Sequence, residues 1–299
     1  METKTVKQVK YSPWKHFLQY MRSHGPVFHI VATFLWIWAL SLLAVFVMGF
    51  LISCTDGLAY ALDPGRVFPE NFTLQNYVKA YKTIEYNGVT FVGMIFNSVW
   101  FSVGCMACRL LATTCATYVI ARYEFKGRKA LYTFIIIQLM IPTYSGGVSN
   151  YTYMWNLGLV NTPLFLISQF AGHGYYFLVM HSYFVGIDKA YDEAAELDGA
   201  NDFQIFCQVI LPIARSAVLA IGLMTFVDLW NEYMTPILYL DNYPTLMSGL
   251  FKYKTVATYT LDTPVYFSGL LLAALPTGIL FTCFSGTLMK NLTIGGIKG

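Results

Sequence analysis

The chain has 299 residues, of which 56% are apolar and 12% charged, against roughly 25% charged in ordinary soluble domains. That balance excludes a typical soluble enzyme and points to a membrane protein. A formal net charge of +3 is too small to suggest nucleic-acid binding, so the position of the charges carries the information.

Residues 1–26 form a basic tail, with Lys4, Lys7, Lys10, Lys15 and Arg22 against the single acid Glu2. Five positive charges ahead of the first apolar run place this end in the cytoplasm. No cleavable signal is expected, because the tail is long and the run that follows exceeds a signal h-region. That run, residues 27–51, has no formal charge apart from a protonated His29, and a spanning helix needs roughly 20 residues. Residues 53–88 are mixed and broken by Asp63-Pro64-Gly65 and Pro69, so they predict an ordered external loop with one short helix near 74–81.

The second span is expected over residues 91–120. Arg109 lies in its middle and is expensive in lipid, so it should face protein or water. It is either a pathway or gating charge, or a structural arginine bonded to carbonyls or paired with Asp228 or Glu232. Cys105 and Cys108 lie in the same run and read as small packing residues, and no metal site is expected, since a metal pair needs further ligands nearby. Arg122, Lys126, Arg128 and Lys129 then mark a short cytoplasmic loop. A third span, 130–148, should be kinked by Pro142, and residues 149–163 lack Lys and Arg, as fits an external segment. The fourth span, 164–185, returns to the cytoplasm.

Residues 186–212 are an acidic island. Asp188 is placed to cap a first short helix with Ile187, Tyr191, Ala194 and Ala195 on one face. Asp192, Glu193, Glu196 and Asp198 are expected on its exposed face. Gly199 supplies a left-handed stop. Asn201 and Gln204 have capping-box spacing for a second helix, with Phe203, Phe206, Cys207 and Ile210 on its apolar face and Pro212 at its end. The small side chains of the first helix would let another backbone approach closely, as in a helix that sits in a partner's groove.

The fifth span, 213–240, carries the densest polar cluster in the membrane, with Asp228, Trp230, Asn231 and Glu232. An external loop, 241–263, leads to a sixth span, 264–289, interrupted at Pro276, and a cytoplasmic tail, 290–299. Cytoplasmic segments on this scheme hold thirteen Lys plus Arg and external loops five, an asymmetry that supports six transmembrane helices with both termini cytoplasmic. The class expected is an all-α polytopic membrane protein.

The pattern Glu193-Ala194-Ala195, then Gly199, then Leu211-Pro212 resembles the EAA signature of ABC importer permease subunits. FPENFTLQNY at 68–77, YVIARYEFKGRK at 118–129, MWNLGLVNT at 154–162 and the Gly295–Gly299 tail are similar to the carbohydrate, maltose-type members, and the short chain resembles the smaller of their two permeases. One departure is Ser216, where many members have a second proline. The resemblance implies a type I ABC importer permease fold and import of an oligosaccharide or related sugar across the cell membrane. It implies as partners a second, different permease subunit, two ATPase subunits and an extracytoplasmic sugar-binding protein, besides membrane lipid. The chain itself carries no GxxxxGK[ST] loop, so no cofactor is expected on it, and ATP and Mg would sit in the ATPase. Glu193, Ala194, Ala195, Asp198, Gly199, Leu211 and Pro212 are the expected coupling residues, and the C-terminal tail is placed to reach toward the ATPase dimer.

Sugars are bound by aromatic faces and by polar groups on their hydroxyls, so Trp230, Asn231 and Glu232, with Tyr144 and His173 behind them, are the pathway candidates. Packing or interfacial roles for these aromatics are the plainer alternative. Two rivals remain: an ABC permease for another solute, and a gradient-driven secondary transporter using Arg109, Asp228 and Glu232 as a relay. The second calls for internal repeats, and none is evident between residues 27–148 and 164–289.

Overall fold

In the computed structural model, residues 25–292 are described, except 67, 142–146, 172–173 and 261–262. The long first helix, α1, runs Pro26–Ser53, with proline in its first turn, where a missing N–H costs nothing. It is apolar all round and its large side chains, Trp36 and Trp38 among them, lie open on the protein surface, as suits a helix whose neighbour is lipid. It is anchored at its end, where Asn76 Nδ2 donates to the carbonyls of Ser53 and Thr55 at 2.8 and 2.7 Å.

The expected external loop contains α2 (Gly57–Leu62), α3 (Gln75–Thr83) and a hairpin of β1 (Glu85–Tyr86) and β2 (Val89–Thr90). Its turn is Asn87-Gly88, both at positive φ, the conformation that this dipeptide adopts with little strain. The Tyr86 hydroxyl donates to Asp241 at 3.2 Å, and burial together with that carboxylate pushes the phenol pKa up.

Helix α4 (Phe91–Arg122) is the central element, capped by Thr90. It packs against a 3-10 segment (Pro163–Ala171), α7 (Gly174–Val185) and the long helix α9 (Asp202–Asn231). Neither of the third and fourth expected spans is a single helix among the described residues. The third is divided into α5 (Arg128–Met140) and α6 (Gly147–Asn156). Pro142 lies outside the described residues, but Ile141 before it is extended, the conformation that a following proline imposes. The fourth begins in the 3-10 segment, Pro163–Ala171, and is α-helical from Gly174 among the described residues.

Beyond α9 come α10 (Met234–Tyr239), α11 (Leu246–Thr260) and α12 (Thr263–Leu292). Thus the fifth expected span breaks after Asn231, and the stretch expected as an external loop holds a fifteen-residue helix. Pro276 does not interrupt the sixth span; it sits inside continuous α12. Proline removes one helical hydrogen bond, and a neighbouring helix can supply a donor to the disturbed ladder. Here the Trp230 indole N–H donates to the Ala273 carbonyl at 3.0 Å. Four helices are long and apolar enough to cross a membrane among the described residues: α1, α4, α9 and the Thr263–Phe284 part of α12.

Candidate functional site

The acidic island folds around α8 (Ala190–Leu197). Asp188 accepts the Ala190 N–H at 3.0 Å, and the acids of the first turn complement the helix dipole. Gly199 closes the helix at φ +84°, with the Ala200 N–H donating to the Ala195 carbonyl at 3.0 Å, the bond pattern of a glycine stop. A Cβ at Gly199 would meet nothing within 4 Å. The residue is therefore required for its backbone conformation and not for space.

Asn201 and Gln204 form the expected capping box, each side chain on the other's N–H at 2.9 Å. Beyond it the expectation fails. Ile205–Ile210 is π-helical and runs without a break into Leu211–Asn231, so Pro212 begins a span and ends nothing. The wide turns change the buried face: Ile205 and Ile210 are buried, five residues apart as a π-helix requires, while Phe203 is exposed.

A second correction concerns Asp192, expected on the outer face. Its carboxylate points inward and pairs with Arg122 at 2.6 Å. The outer face is carried by Tyr191, Glu193, Ala194, Glu196, Leu197 and Asp198, all exposed, with Leu197 at 89%. Ala195 alone of the alanine pair is buried, in a cluster with Tyr118, Phe184, Ile187 and Ile205.

Deeper in the molecule, Arg109 does not pair with Asp228 or Glu232. Its Nε donates to Gln169 Oε1 at 2.8 Å, and it lines a cavity of about 410 Å³ with Gln138, Tyr175, Tyr176 and Thr225. Asp228 instead accepts the Tyr176 hydroxyl at 2.7 Å. Glu232 accepts the N–H groups of Met234 and Thr235 at 2.7 and 3.0 Å, so its carboxylate caps α10. Trp230, a pathway candidate, is 2% exposed and stacked on Phe226. An indole that braces α9 against α12 offers no face to a solute in this arrangement. Asn231 is exposed with its amide on the Val227 carbonyl at 2.8 Å. Tyr144 and His173 lie outside the described residues. The hairpin was missed in the sequence although Asn87-Gly88 announces it; the inward turn of Asp192 has no local signal.

Residues 110–292, a stretch that contains the whole of this acidic island, match the family model described as the binding-protein-dependent transport system inner membrane component. The chain belongs to that family. It is a multi-pass protein of the inner membrane and a transport component, not itself an ATPase. It is similar to the diacetylchitobiose uptake system permease protein NgcG of Streptomyces coelicolor, 26% identical over 77% of this chain and 76% of that one. It is also similar to the maltodextrin transport system permease protein MdxG of Bacillus subtilis, 25% identical over 90% of this chain and 96% of that one. Among solved structures, a chain from a bacterial ABC transporter involved in import of the acidic polysaccharide alginate superposes with a TM-score of 0.72. That likeness covers 93% of this chain and 99% of the other at 22% identity, and it speaks for the fold.

Proposed function

We propose that this chain is one permease subunit of an ATP-driven importer for an oligosaccharide. It would pair with a second, different permease, engage two ATPase subunits through α8, and receive solute from an extracytoplasmic binding protein. The named substrates of its relatives support the solute class. Six passes with both ends inside remain the arrangement that best accommodates the charge asymmetry, the third and fourth being broken helices, which are tolerated where protein or a cavity covers the backbone.

The observation that carries the coupling reading is the contrast between the two sides of α8. Its inner side is fixed by an ion pair and a buried alanine. Its outer side presents Glu193, Ala194, Glu196 and Leu197 with nothing against them among the described residues, as an interface lacking its partner would. Asp228 is likewise exposed on an apolar span, and a carboxylate there belongs against a water-filled pathway or the second permease and not against lipid.

Reconstitution with and without partners tests the proposal. Proteoliposomes holding this chain, the second permease and the ATPase should accumulate labelled oligosaccharide only when ATP and binding protein are both present. Uptake by this chain alone, driven by an ion gradient, would overturn it.

A further inference from the structure

Arg122 is the last residue of α4, and its side chain is only 4% exposed. A guanidinium has five N–H donors in a rigid fork; here its three nitrogens make four hydrogen bonds and a close ion-pair contact. Nε and Nη2 both reach Asp192 Oδ2, at 2.8 and 2.6 Å. Nη1 reaches the carbonyls of Ile187 at 2.5 Å and Phe184 at 3.4 Å, and Nη2 also reaches that of Asp188 at 3.1 Å. The Phe184 carbonyl belongs to the last turn of α7, and those of Ile187 and Asp188 follow in the link to α8. Carbonyls at a helix end lack intrahelical donors, and a cation there also opposes the negative end of the helix dipole. One side chain thus joins three elements: it extends from the end of α4, caps the end of α7 and grips the first turn of α8.

Asp192 completes the joint. Its other oxygen, Oδ1, is buried with no hydrogen-bond partner among the described residues, so the carboxylate depends on Arg122 for its compensation. A buried charge that loses its partner is costly. The exposed pairing of Lys189 with Glu124 nearby, at 3.8 Å, is of the kind that contributes little.

We infer that Arg122 is a positioning residue for coupling: it sets the angle of α8 against α4 and α7, so that force applied to the exposed face of α8 moves the spans instead of swinging the helix on its loops. The inference rests on the proposal that α8 is the ATPase contact. Lysine keeps the charge but offers one compact ammonium with three donors, and it cannot hold three carbonyls and a carboxylate at once.

The test is run on the assembled transporter in proteoliposomes, reading solute transported per ATP hydrolysed. Arg122→Lys should lower that ratio about tenfold, and Asp192→Asn, which leaves the carbonyl bonds in place, about threefold. The double variant should be no worse than Arg122→Lys alone, because both substitutions break the same joint. A merely structural role would reduce transport and hydrolysis together and leave the ratio unchanged, which overturns the inference. If Arg122→Lys does not assemble, Asp192→Asn decides alone: a lowered ratio supports the joint, and a normal ratio overturns it. Gly199→Val, run beside them, separates the two levels. Loss of coupling in Gly199→Val with a normal ratio in Arg122→Lys and Asp192→Asn leaves α8 as the contact and removes Arg122 from it. A normal ratio in all three removes the coupling reading itself.

Discussion

Arg109 and Arg122 stand on one helix, α4, and their surroundings differ in kind. Arg122 is closed in by three carbonyls and a carboxylate. Arg109 makes one side-chain bond among the described residues, to Gln169, and opens on a cavity of mixed lining. An arginine held in this way is a joint, because any movement breaks several bonds at once. An arginine with a neutral partner and space beside it can exchange that partner for water, solute or the nearby Asp228–Tyr176 pair. On the proposed function, the Arg122 end of α4 would transmit movement and the Arg109 region would respond to it.

Substitutions at the two ends sharpen this contrast. The largest effect is expected from Gly199→Val. No neighbour obstructs a side chain there, so the whole penalty is conformational, about 1–2 kcal/mol for a left-handed residue and more for a β-branched one. The variant should stay in the membrane and lose substrate-stimulated ATPase activity, whereas Gly199→Asn, which tolerates positive φ, should retain most of it. Equal losses in the valine and asparagine variants would mean that something other than φ is at stake.

A smaller effect is expected in the cavity. Arg109→Gln should reduce transport severalfold while insertion is unharmed or improved, since a mid-span arginine costs about 2.5–3.5 kcal/mol on insertion scales. Immunoblotting of membranes beside uptake separates the two effects, and loss of the protein from the membrane would show Arg109 to be a structural support. Trp230→Phe should be the mildest. It removes the donor to Ala273 and should lower stability by about 1–3 kcal/mol with solute specificity unchanged, as thermal unfolding in detergent and competition uptake would show. A changed sugar preference would return Trp230 to the pathway.

Legibility in the sequence followed the range of the forces involved. The glycine stop and the Asn201/Gln204 capping box are settled by atoms within four residues, and both stand as read. The first span is apolar over its whole length, and the second is long and apolar enough to be read in spite of Arg109; both were equally plain. The π-helical stretch leaves no such mark, because Ile205 and Ile210 are chosen by the cluster they enter and not by their own spacing. Asp192 looked like its acidic neighbours until Arg122, seventy residues earlier, drew it inward. The pairing expected between Arg109 and Asp228 or Glu232 failed for a related reason: Tyr176 and the N–H groups of α10 had taken those carboxylates. Helix α11 was hidden by Lys252 and Lys254, whose charges mark a loop when only membrane length is considered.

The most direct measurement concerns the outer face of α8. With Leu197→Cys introduced and the parent chain as control for native thiols, a membrane-impermeant thiol reagent should label residue 197 in inside-out vesicles only, and bound ATPase should protect it. Labelling from the outer side, or undiminished labelling with the ATPase bound, would contradict α8 as the point at which this permease is driven.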